Sequence, residues 1–156
     1  MHYDENAQRY IRGSEIIEKT FGVEADIVLG PISEVAPDLS RYVAEFAYGD
    51  VYSRPGLSAE KRSLVTIAIL ASMGDCTKEI IAHVNGALNQ GVTPSEIVET
   101  VIHTCLYSGF PRSLNAMHIV RKVFKERGIE LPQPVAPFPE QLSRDKDMSY
   151  PFHTGS

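Results

Sequence analysis

Apolar residues recur at spacings of three and four through most of the chain, and no segment alternates apolar and polar positions long enough for a strand, so an all-α fold is expected. Tyr10, Ile11, Ile17 and Phe21 share one helical face, closed by Gly22. Pro37 opens a second helix with Leu39, Tyr42, Val43 and Phe46 inward, ending near Gly49, and Ser53 to Gly56 reads as a turn. Ser58 is the expected N-cap of a third helix that stops at Gly74. Its second half, around Leu64 to Leu70, is apolar on nearly every side and is expected to be the buried centre. A fourth helix starts at Asp75 or Thr77, carries Ile80, Ile81, Val84, Ala87 and Leu88, and stops at Gly91. Thr93, Pro94 and Glu96 form the signature of a capping box, which predicts a fifth helix with Ile97, Val98, Val101, Ile102, Cys105 and Leu106, ending at Gly109. Phe110 and Pro111 open a last long helix with Leu114, Met117 and Phe124 inward and Gly128 past its end. The expected architecture is a helical bundle of about six helices.

After Gly128 the pattern stops. Residues 129–156 hold five of the ten prolines, which rules out a long helix there and predicts an irregular, Pro-rich C-terminal arm. Its apolar residues Leu131, Val135, Phe138 and Leu142 suggest that part of the arm packs on a surface. The expected organisation is one helical domain over 1–128 and the arm as an extension. At 156 residues the chain has the length of one domain.

Composition narrows the classes of function. Hydrophobic residues at 43% and charged residues at 22% fit a folded globular protein and argue against disorder of the whole chain. A net charge of -5, without a cluster of Lys and Arg, argues against nucleic acid as a partner. The longest apolar run, Leu64 to Leu70, is too short to span a membrane, and MHYDENAQRY lacks a basic stretch followed by an apolar one. No membrane partner and a cytoplasmic location are therefore expected, and Cys76 and Cys105 are expected to be free thiols.

Cys76, Glu79 and His83 fall at i, i+3 and i+7, so a helix carries all three on one face. A thiol, a carboxylate and an imidazole there make a proton-transfer site, with the carboxylate orienting the histidine. The same spacing also fits a solvated Glu79–His83 pair with Cys76 as a small filler, which is the commoner case. His103 and His118 read as core histidines. Arg62, in the first turn of the apolar third helix, calls for a partner, either a carboxylate side chain or an anionic ligand. Arg112, beside the break at 109–111, is a second candidate anion binder. The sequence holds no Gly-rich phosphate loop, CxxC, HExxH or GxSxG, and a metal site is not expected.

Four stretches together resemble the carboxymuconolactone decarboxylase family: YGDVYSRPGLS (Tyr48 to Ser58), KRSLVTIAILASMG (Lys61 to Gly74), EIIAHVNGALNQGVTPSEIVETVIHT (Glu79 to Thr104) and LYSGFPRSLNAM (Leu106 to Met117). The likeness spans about residues 40 to 127 and rests on the order and spacing of the four. The superfamily includes alkylhydroperoxidase D-like thiol reductases with a CxxC and a histidine four residues on. Here Cys76 occupies the first thiol position, Glu79 the second and His83 that of the histidine. Without a partner thiol the disulfide cycle does not close. Ser63 stands where the peroxidase branch has a glutamate, which is similar to the decarboxylase branch.

The resemblance implies a helical subunit forming a homo-trimer or homo-hexamer with active sites near subunit contacts. It implies a carboxy-lyase that needs no cofactor and takes CO2 from an unsaturated lactone acid in aromatic catabolism, the electrons passing into the lactone as a dienolate. On that reading the partner is a small-molecule organic acid. His83 is the proton donor or oxyanion partner, Glu79 orients it and Arg62 contacts an anion. Cys76, Tyr107 and Arg112 are further substrate-binding residues. Other proton-transfer reactions, isomerisation or cyclisation, remain open within the family, as does a thiol-dependent antioxidant role.

Overall fold

Glycines end the helices where the periodicity breaks: Gly22, Gly74, Gly91, Gly109 and Gly128 all take positive φ, between 65° and 90°. A computed structural model describes residues 2–131. It contains α1 (His2–Phe21), α2 (Ala25–Ser33), α3 (Pro37–Tyr42), a π-helical segment (Val43–Tyr52), α4 (Ala59–Met73), α5 (Thr77–Asn89), α6 (Pro94–Ser108) and α7 (Phe110–Glu126). The described residues form helices and connecting turns without a strand, as the periodicity predicts. The Pro-rich arm expected over 129–156 lies outside the described residues from 132 onward.

The caps are where they were expected. Ser58 accepts from the Lys61 amide at 3.4 Å, and Thr93 accepts from the Glu96 amide at 3.2 Å while Glu96 accepts from the Thr93 amide at 2.8 Å. One helix was not anticipated. α2 contains Gly30 and Pro31, both poor helix formers, and buries Ala25 and Leu29.

Two buried clusters organise the molecule. The larger joins α4 to α7 around Ile67, Val84, Ile97, Val101, Val120 and Phe124. The smaller joins α1, α2 and the π-helical segment around Ile17, Leu29, Ala44 and Tyr48. In the smaller unit α1 and the π-helical segment meet backbone to backbone. A Cβ on Gly13 would strike the Ala44 carbonyl, and one on Gly49 would strike the Arg9 carbonyl. A forked ion pair from Arg9 to Asp50, 3.0 Å from Nε to Oδ1, locks the same contact. A polar bridge ties the two units together: Ser63 Oγ donates to Gln90 Oε1 at 2.7 Å, and Gln90 Nε2 donates to Thr20 Oγ1 at 2.8 Å.

Several expected inward faces are reversed. In the second predicted helix Leu39, Tyr42 and Phe46 are exposed, and Ser40, Ala44, Glu45, Tyr48 and Gly49 are buried instead. The π-helical winding begins at Val43 and breaks the spacing of three and four between Tyr42 and Phe46, and Glu45 is tolerated inside because Arg41 pairs with it at 3.2 Å. Ile11 and Leu114 are also exposed. The expectation of an all-round buried third helix is corrected too. α4 buries Ser63, Ile67 and Ala71 but exposes Val65, Ile69 and Met73. The neighbouring helices of the chain cover only one side of it among the described residues.

Candidate active site

The two buried clusters meet along a row of rings. His83, from the middle of α5, meets Phe21 at the end of α1 edge-on, with ring centroids 5.6 Å apart. Phe21 meets Tyr48 of the π-helical segment at 6.1 Å, and Tyr48 meets Tyr52 at 4.7 Å. The Arg62 guanidinium lies over the Tyr52 ring at 6.0 Å. Tyr52 and Thr66 share a 2.7 Å hydrogen bond between their hydroxyls. Antiparallel α4 and α5, registered by the Ser63–Gln90 bond, put Arg62 roughly 12 Å along the helix axis from the level of His83.

Electrostatics follow from this packing. Burial pushes the half-buried His83 imidazole below its ordinary value, and the Glu79 carboxylate opposes the shift. Burial pushes the Tyr48 phenol far above its ordinary value, aided by Tyr52, so it stays protonated. Arg62 donates from Nη2 to the Arg54 carbonyl at 2.9 Å. Its Nε is buried and, among the described residues, has no acceptor. The carboxylate partner allowed for Arg62 is therefore absent among the described residues, and the other option, an anionic ligand, stays open.

The remaining expected site residues fall elsewhere. Glu79 shares the helix with His83 but stands exposed in its first turn, and no hydrogen bond joins the two among the described residues. Cys76 is half-buried at the start of α5 and lines a cavity of about 500 Å³ with Arg112, Asn115 and His118. Arg112 also donates to the Met73 carbonyl, capping the end of α4. Cys76, Glu79 and His83 do not form a metal-binding group. Tyr107 is exposed on α6, its ring 5.7 Å from that of His103. His103 and His118 are both exposed, which corrects their reading as core histidines. Sequence reasoning missed Phe21, Tyr48, Tyr52 and Thr66. The i, i+4 spacing of Tyr48 and Tyr52 was the available signal.

The family model described as "Carboxymuconolactone decarboxylase family" matches residues 37–122. A 4-carboxymuconolactone decarboxylase of Acinetobacter baylyi is 37% identical over 139 residues, covering 88% of this chain and 97% of the relative. The chain belongs to the carboxymuconolactone decarboxylase family. A nitrosuccinic acid decarboxylase of Metarhizium robertsii is also 37% identical, over 84 residues that cover 54% of this chain and 58% of that protein. The expectation of a carboxy-lyase agrees with both names. In this carboxymuconolactone decarboxylase family member the matched span takes in Tyr48, Tyr52, Arg62 and His83, and Phe21 lies before it. No described helix is long and apolar enough to cross a membrane.

Proposed function

We propose that this protein is a cofactor-independent decarboxylase of a small unsaturated lactone acid of the 4-carboxymuconolactone type, a step of aromatic catabolism. The observation that carries the reading is the likeness to the Acinetobacter baylyi enzyme, which runs over 88% of this chain and 97% of that one. The substrate supplies its own electron sink. As the carbon–carboxylate bond breaks, CO2 leaves, the electron pair enters the ring as a dienolate, and one proton is added to the ring carbon beside the lactone carbonyl. The protein's tasks are to hold a carboxylate, to stabilise the oxyanion and to manage that proton.

The geometry offers a group for each. Arg62 presents a cation with a free buried N–H for a carboxylate oxygen. His83, neutral at pH 7 because burial lowers its affinity for protons, donates its N–H to the developing oxyanion. The oxyanion's charge then favours the imidazolium, so His83 is suited to take up one proton from solvent, pass it to the ring carbon and return to the neutral form. Glu79 tunes His83 through space, and Cys76 and Arg112 line a separate cavity.

We assign the working form as a cytoplasmic homo-trimer or homo-hexamer. Val65, Ile69 and Met73 of α4 with Ile102, Leu106 and Phe110 at the end of α6 and the start of α7 are exposed apolar side chains, and a second copy is their natural cover. The test is to incubate the purified protein with 4-carboxymuconolactone and follow CO2 release. Stoichiometric CO2 at a rate far above the spontaneous one supports the reading, and the spontaneous rate alone overturns it. A second reading draws on the nitrosuccinic acid decarboxylase relative: a nitro group is another built-in electron sink, so nitrosuccinate is the second substrate to assay.

A further inference from the structure

Arg62 is held on one side only. Its Nη2 is spent on the Arg54 carbonyl at 2.9 Å, while Nε is buried without an acceptor among the described residues. A buried cationic N–H left unpaired is costly, and a guanidinium with one donor satisfied and another free is suited to a carboxylate oxygen. Tyr52 touches α4 at two successive turns: its ring lies 6.0 Å below the Arg62 guanidinium, and its hydroxyl binds Thr66, one turn on, at 2.7 Å. Tyr52 is itself braced by Tyr48, ring centroids 4.7 Å apart, and through Phe21 the same row reaches His83.

We propose that Tyr52 is a positioning residue for Arg62: ring and hydroxyl together hold the guanidinium so that Nε–H stays directed at a carboxylate oxygen of the substrate. The inference deepens the decarboxylase reading by naming the contact that selects a carboxylate, and it rests on that reading for the identity of the substrate. Several features support it. The hydroxyl tie to Thr66 is unnecessary for filling space, since a phenylalanine has the same ring. The π-helical winding that carries Tyr48 and Tyr52 is a local irregularity of a kind frequent at functional sites. Lysine at 62 would keep the charge but lose the Nε–H, so charge and geometry are separable.

The test uses a saturated probe, 5-oxotetrahydrofuran-2-carboxylate, a lactone acid without the double bond that receives the electrons. Binding is read from the arginine Nε–H resonances of the 15N-labelled full chain, with Arg62 assigned by its loss in Arg62→Lys. The Arg62 Nε–H resonance should move downfield on saturation with the probe. Tyr52→Leu should weaken probe binding roughly 10-fold, the effect of losing one charge-assisted hydrogen bond, and should raise KM for 4-carboxymuconolactone more than it lowers kcat. Tyr52→Phe and Thr66→Val, which cut only the hydroxyl tie, should each shift the Arg62 resonance in the free protein and weaken the probe by a smaller factor. They serve as the decisive pair if Tyr52→Leu does not fold. An Arg62 resonance unmoved by saturating probe, or variants that bind it as wild type does, would overturn the inference. Absence of turnover with a normal probe response would sink the decarboxylase reading and leave the Tyr52–Arg62 carboxylate site standing.

Discussion

The imidazole of His83 packs against Phe21, ring centroids 5.6 Å apart, and makes no hydrogen bond to Glu79 one turn earlier on its own helix. Burial, to which this ring contact from α1 belongs, outweighs the carboxylate in setting its protonation. Burial lowers the imidazole's affinity for protons and the distant carboxylate only partly restores it. The shift favours the neutral imidazole, which is an N–H donor.

NMR titration of the His83 ring should find its pKa below the ordinary histidine value. Glu79→Gln should lower it further, because the carboxylate's charge favours the imidazolium. Phe21→Ala should move it back up by admitting water. The sign for stability follows: between the ordinary and the lowered value the unfolded chain binds the proton and the native one does not. Stability contributed by neutral His83 is thus present above the ordinary value and is lost as pH falls toward the native one. A native pKa at or above the ordinary value would contradict this.

Substitution of His83 by alanine should reduce kcat on 4-carboxymuconolactone by about 10²–10⁴-fold while leaving assembly and folding intact. Glu79→Gln should cost much less, since it removes a through-space influence and no direct contact. Steady-state kinetics of the two variants beside wild type measure the difference. Equal losses would place Glu79 in contact with the reaction.

Cys76 lines a cavity with Arg112 and His118, apart from the row of rings, and Glu79 occupies the position a partner thiol would need. Cys76→Ser should keep most of the turnover and should not alter its sensitivity to dithiothreitol. Complete loss of activity in a folded variant would return the thiol chemistry to consideration.

The apolar residues on the outer side of α4 and at the α6–α7 corner should make association strong at micromolar concentration. Ile69→Glu combined with Leu106→Glu should shift the mass measured by light scattering toward the monomer, because each places a charge in a surface that buries apolar side chains. A monomeric wild type would rule out this use of the face.

Gln90 bridges two buried hydroxyls, Ser63 at 2.7 Å and Thr20 at 2.8 Å. Gln90→Leu leaves both without that partner and should destabilise the fold by about 1–3 kcal/mol in denaturant unfolding. An unchanged midpoint would mean that the two hydroxyls find other partners.

Local chemistry made much of this protein legible without coordinates. Helix starts at Ser58 and Thr93 and stops at the five glycines depend on backbone groups within a turn, so residues near in sequence decide them. The placement of Glu79 and His83 on one helix was readable for the same reason, whereas Cys76, expected on that helix too, precedes it as the N-cap residue. Tertiary structure alone decided which faces are covered. Leu39, Tyr42 and Phe46 have the spacing of a buried stripe, but it is Ala44 and Tyr48 that face α1, where Gly13 and Gly49 allow the backbones to meet. Likewise nothing local brings Phe21 to His83, or Tyr52 to Arg62 and Thr66. Those meetings depend on how α1 and the π-helical segment dock against α4 and α5, and docking is set by long-range packing that a periodicity of three and four does not encode.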